Sequence, residues 1–96
     1  MRLKNPKAKG ARAERRVRDA LLRGGCRYVG KAGGSLGLFD LIALREDLAF
    51  LVQVKCNNKP GKIEMKALTD FKAPKYARKW LVVVPDREQP IWTQIL

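Results

Sequence analysis

The chain has 96 residues, which suits one domain and leaves no room for a second, and its 46% hydrophobic content supports one modest core. Against 9 Asp and Glu stand 21 Lys and Arg, a formal net charge of +12. There is no histidine, which excludes Ser-His-Asp hydrolysis, H-E-x-x-H zinc sites and every other mechanism that needs an imidazole.

Any catalysis must therefore run on carboxylates, lysine and bound metal. The basic excess favours polyanionic partners, because neutralised phosphates release condensed counterions; the alternative is a soluble basic surface with no such partner. Cys26 and Cys56 stand far apart and form no C-x-x-C pair, so a zinc site is not expected and both thiols read as small strand residues. Neither a signal peptide nor an apolar run of membrane length is visible. The expectation is a reduced, cytoplasmic setting with no membrane partner.

Residues 1–9 are basic, contain Pro6 and carry no apolar period. They read as a mobile arm able to lie on a phosphate backbone, or as a frayed terminus. From Gly10 the pattern becomes helical. Ala13, Val17, Ala20 and Leu21 draw one apolar stripe, and Arg12, Arg15, Arg16, Arg18 and Arg23 fill much of the rest. Gly24-Gly25 ends this helix, since glycine suits the left-handed position after a helix. Glu14 lies at the edge of the stripe. It can pair with Arg18 one turn on, or reach over a sheet towards Asp40.

Cys26 to Val29 reads as a short strand. The next eight residues, Gly30 to Gly37, hold four glycines. Such a loop allows close backbone approach to a ligand, and its order is not that of a nucleotide P-loop. Lys31 and Ser35 are candidate donors to a phosphate backbone.

Two apolar runs follow, Leu38 to Leu44 and Leu48 to Lys55, joined by the charged turn Arg45-Glu46-Asp47. This is hairpin patterning. Asp40 opens the first run. Gln53 and Lys55 end the second, two residues apart and so on one face of a strand. An acid, an amide oxygen and an ammonium can then share one patch of sheet. Mg²⁺ takes hard oxygen ligands, usually one or two carboxylates completed by water and substrate phosphate. Asp40 and Glu14 can be the carboxylates, and the Val54 carbonyl can add an oxygen. Lys55 would orient or deprotonate the attacking water, or stabilise charge on the phosphorane. The chemistry indicated is phosphodiester hydrolysis.

Asn57 to Gly61 is turn chemistry. A second amphipathic helix is expected over Lys62 to Lys72, with Ile63, Ala67, Leu68 and Phe71 inward and Pro74 beyond its end. Trp80 to Val84 reads as a buried strand and Ile91 to Leu96 as the last one. The order is α-β-β-β-α-β-β.

Four of these pieces resemble the PD-(D/E)XK nuclease superfamily, and within it the archaeal-type Holliday junction resolvases. Lys9-Gly10-Ala11-Arg12-Ala13-Glu14-Arg15 resembles the opening helix, with Glu14 on its metal-binding glutamate. Lys31-Ala32-Gly33-Gly34-Ser35 resembles the loop with a basic residue and a serine near the scissile phosphate. Phe39-Asp40-Leu41-Ile42-Ala43 resembles the strand of the metal aspartate. Gln53-Val54-Lys55 sits where the E-x-K element belongs. The resemblance spans Lys9 to Lys55; beyond that it rests on element order alone.

The resemblance implies a restriction-endonuclease-like α/β fold, a central mixed sheet flanked by helices, as a single domain over 1–96. It implies a homodimeric, Mg²⁺-dependent (or Mn²⁺-dependent) endodeoxyribonuclease that resolves four-way junctions by paired nicks. Glu14, Asp40, Gln53 and Val54 would hold the metal. Glu14, Asp40, Gln53, Lys55 and Ser35 would be catalytic, and Lys9, Arg12, Arg15, Lys31 and Ser35 would contact DNA. Two departures stand out. Lys31 replaces the usual arginine, giving a point contact where arginine grips with two donors. Gln53 replaces the usual acid and brings no charge. Related alternatives are a nuclease of flaps or damaged duplex, and a binder that does not cut.

Overall fold

The computed structural model describes residues 6–32 and 37–96. Helix α1 runs over Pro6–Arg23. The helix thus begins four residues before Gly10, and the arm expected over 1–9 is corrected: Pro6 to Lys9 are helical, and residues 1–5 lie outside the described residues. Proline is tolerated at a first helical position, where its missing N–H has no intrahelical partner to lose. Ala13, Val17 and Leu21 form the buried stripe, with Ala20 at its margin.

Gly24 and Gly25 stop α1 as expected. The Gly25 N–H reaches the Leu22 carbonyl at 3.2 Å, and the Cys26 N–H reaches Leu21 at 3.1 Å. Gly25 takes φ of 104°, so this is a Schellman cap. The cap consumes Cys26, which turns into the core beside Leu21. The first strand is therefore β1, Tyr28–Lys31, two residues later than its composition suggested. Gly25→Ala should lower stability by about 1 kcal/mol, since a Cβ is disfavoured at positive φ. A melting point about 5 °C lower would check this.

The hairpin forms from β2, Leu41–Leu44, and β3, Ala49–Cys56, closed by the Arg45 N–H to the Leu48 carbonyl at 2.8 Å. Helix α2 occupies Lys62–Asp70, followed by β4, Ala77–Val84, and β5, Ile91–Ile95. The sheet order is β1-β2-β3-β4-β5. All neighbours are antiparallel except β3 and β4, which are parallel across the α2 crossover. The expected element order and mixed α/β sheet are observed.

Strand alternation divides the core into two layers. Leu41, Ala43, Val52, Val54, Val82 and Val84 face α1. Ala49, Leu51, Leu81 and Val83 face α2, where Leu68 and Phe39 join them. Helix α2 turns Leu68 and Phe71 inward as expected but corrects the placement of Ile63. Ile63, expected inward, is 89% exposed, and the packed face carries Met65, Leu68 and Phe71. In the first turn it is Glu64, not Ile63, that lies towards the sheet.

Lys79 is buried in β4 and faces α2. Its ammonium donates to the carbonyls of Leu68 at 2.7 Å, Thr69 at 2.8 Å and Phe71 at 2.8 Å. Carbonyls at a helix C-terminus have no intrahelical partner and carry negative partial charge. One buried cation answers both needs. No helix among the described residues is long and apolar enough to cross a membrane. Cys26 and Cys56 are both free thiols.

Candidate active site

Asp40 stands where the chain enters β2, and its backbone is pinned on both sides. Its N–H donates to the Val52 carbonyl at 2.8 Å, and its carbonyl accepts the Ala32 N–H at 3.0 Å. The side chain is then delivered against β3, where Oδ2 accepts the Val54 N–H at 2.8 Å. A strand residue turns its N–H and C=O to the same edge. The Val54 carbonyl therefore points to the edge that Asp40 occupies. The β2–β3 pairing ends at Leu41–Val52, so no β2 partner is paired with it.

Burial raises the Asp40 pKa above the ordinary carboxylate value. The Val54 N–H and the Lys55 charge oppose this, the nearby Glu64 charge adds to it, and Lys31 lowers it. Desolvation wins: the carboxylate has less positive charge around it than its burial calls for.

Gln53 and Lys55 follow Ala49 and Leu51 on the α2-facing side of β3, as their spacing requires. Glu64, in the first turn of α2, meets both. Gln53 Nε2 donates to one carboxylate oxygen at 2.8 Å, and Lys55 Nζ lies 3.0 Å from the other. Gln53 is buried, while Lys55 and Glu64 are each about one-third exposed. Glu64 was missed from sequence. Its only signal is a place in the first turn of the helix that follows Gln53-Val54-Lys55, where Ile63 was expected inward instead.

Glu14 approaches from the other layer. It does not pair with Arg18, which lies 3.7 Å from Asp19; its carboxylate is 3.7 Å from Lys31 Nζ. Lys31 ends β1 opposite Leu41 and is close enough to Asp40 to act on its pKa. Glu14 is thus joined to the Asp40 side of the molecule through Lys31. Ala11, Glu14, Arg15, Arg18, Gly30 and Lys31 surround a cleft of about 200 Å³.

Of the residues expected to touch DNA, Arg12, Arg15 and Lys31 are exposed. Lys9 pairs with Asp86 at 3.2 Å instead of standing free. Ser35 lies outside the described residues.

Among the described residues, no three His, Cys, Asp or Glu side chains gather closely enough to hold a metal between them. The donors at the sheet end are nevertheless of one kind: the carboxylates of Asp40 and Glu64 and the Val54 carbonyl. Two carboxylates with a carbonyl fit Mg²⁺ or Mn²⁺, which complete their shell with water and phosphate. They do not fit a soft-ligand metal such as zinc held by thiolates.

No protein-family model and no curated protein matches the sequence. A solved structure does match: the Holliday junction resolvase Hjc of Archaeoglobus fulgidus, an archaeal hyperthermophile. The TM-score is 0.71 at 19% identity, over 91% of this chain and 73% of that one. The chain has the fold of that resolvase.

Proposed function

We propose that this protein is a metal-dependent endonuclease that cuts branched DNA, with four-way junctions as the preferred substrate and a homodimer as the active form. The observation that carries the reading is the placement of Asp40 against Val54, one residue from Lys55 on the neighbouring strand. The fold shared with a junction resolvase and the net charge of +12 support it.

Asp40 and the Val54 carbonyl are the ligands offered to Mg²⁺ or Mn²⁺, with Glu14 a further donor implied by the resemblance; Gln53, which the resemblance also places at the metal, turns its amide N–H to Glu64. When bound, such an ion neutralises charge at the phosphate and makes its water more acidic. The chain's own groups do the remaining work. Lys55 Nζ, whose charge acts on Asp40, can orient the water or meet charge building on the phosphorane. Arg12, Arg15 and Lys31 hold the DNA backbone, and the resemblance implies Ser35, outside the described residues, as a further donor. The two-fold dimer would place two sites for paired cuts. Strand β5 offers the exposed Ile91 and Trp92 for that contact, and α2 offers Ile63.

Labelled four-way junction, flap and linear duplex, each with Mg²⁺ and with EDTA, test this reading. Paired symmetric nicks in the junction alone, dependent on Mg²⁺, are expected. Equal cutting of all three substrates would move the specificity to a general nuclease, and binding without cutting would make the protein a DNA-binding module.

A further inference from the structure

We infer that Glu64 supplies the carboxylate that Gln53 lacks, so that the second acidic ligand of the metal site comes from helix α2 and not from β3; this deepens the nuclease reading and rests on it.

Position 53 is informative because of its surroundings. It continues the row of Ala49 and Leu51 on the α2-facing side of β3 and is only 6% exposed. A core position in that row would take an apolar side chain at no cost, whereas a buried amide is tolerated only when hydrogen-bonded. Its bond is to Glu64 Oε2 at 2.8 Å. The amide therefore donates towards a carboxylate and fixes where that carboxylate sits.

The rival role for Glu64 is to anchor α2 by pairing with Lys55. That pair is about one-third exposed on both sides, and exposed pairs contribute less than about 1 kcal/mol. Helix α2 is held far more firmly by Leu68 and by the Lys79 grip on its last carbonyls. Charge also separates the two roles. Glu14, Asp40 and Glu64 are three of only 9 acids in the chain, and two lysines, Lys31 and Lys55, face them. Lys55 pairs with Glu64 beside Asp40, while Arg15 and Arg18 line the cleft with Glu14 and Lys31. The charge of Glu64 reaches Asp40, and Lys55 acts on both acids. A divalent cation between Asp40 and Glu64 would pair with both carboxylates and remove their mutual repulsion. Gln53 is then a positioning residue and Glu64 a ligand.

Mn²⁺ titration of the full chain without DNA, followed by the electron paramagnetic resonance of free Mn²⁺, tests this apart from activity. Glu64→Gln should weaken Mn²⁺ affinity by at least about tenfold. Gln53→Glu should lower the metal-free melting point, because two carboxylates then face each other at hydrogen-bond distance, and Mn²⁺ should restore it. The double variant Gln53→Glu with Glu64→Gln exchanges acid and amide and should recover most of the lost affinity. A merely structural Glu64 would show no such recovery. If Glu64→Gln binds Mn²⁺ like the wild type while Asp40→Asn does not, the inference fails and the nuclease reading stands. If the wild type binds no Mn²⁺, both fail.

Discussion

Replacing Asp40 by Asn is expected to abolish junction cleavage while leaving junction binding and folding intact. A unit charge about 4 Å from a cation is worth about 4 kcal/mol at an effective dielectric near 20, which is about a thousandfold in rate. The amide keeps an oxygen to accept the Val54 N–H, so the local hydrogen bond survives. It also removes a carboxylate whose burial raises its pKa. A raised pKa means that the folded protein binds the proton more tightly than the unfolded chain does. The ionised form therefore costs stability at neutral pH, and the cost fades as pH falls below the raised value. The Asn variant should melt no lower than the wild type at neutral pH. DNA affinity should hold, because phosphate contacts from surface Lys and Arg supply most of it. Single-turnover cleavage, gel-shift binding and a melting curve on one protein preparation check all three parts. A variant that melts well below the wild type would show that Asp40 serves the fold; one that still cuts would show that the metal, if used, is held elsewhere.

That combination, a group that costs stability and is retained, was partly readable from the chain alone. Asp40 interrupts an apolar run, and an acid there has no packing reason. Gln53 and Lys55 could be placed on one face because strand alternation needs no tertiary information. The same holds for Gly24-Gly25, where positive φ is a local demand. What the sequence hid depends on contacts between distant segments. The apolar residues of α2 fit more than one stripe along nine residues, so its phase is chosen by Gln53, Lys55 and the pocket for Leu68. Leu68 and Phe71 were placed correctly, but at the start of the stripe Ile63 was expected where Glu64 lies. Glu14 shows the same limit. Its helix and its place on the stripe were legible, whereas its partner proved to be Lys31 at the end of β1 and not Arg18 on its own helix. Gly30 and Lys31, expected in the loop, could not be assigned to β1 until the cap had taken Cys26.

Lys79 is the residue whose loss should cost the fold most, and nothing in its local sequence announces it. A lysine one residue before Trp80-Leu81-Val82-Val83-Val84 looks like a charged flank of a strand. In three dimensions it is 7% exposed and holds the C-terminus of α2 through three carbonyls. Burying an ammonium carries a desolvation penalty of several kcal/mol, so the sign of a substitution must be argued. Lys79→Met keeps the length and the apolar stem but removes all three donors. The buried Leu68 carbonyl then has no partner, and the Thr69 and Phe71 carbonyls lose a charged donor. Unsatisfied buried acceptors cost about 1–3 kcal/mol each, and bonds from a charged donor are the stronger kind. The loss outweighs relief of the penalty, and a net destabilisation of about 3 kcal/mol is expected. For a chain of this size that lowers the melting point by about 15 °C. Hydrogen exchange should place the first loss of protection in the last turn of α2. A melting point within a degree or two of the wild type would mean that desolvation cancels the hydrogen bonds. Helix α2, and with it Glu64, would then be held by the packing of Met65, Leu68 and Phe71 alone.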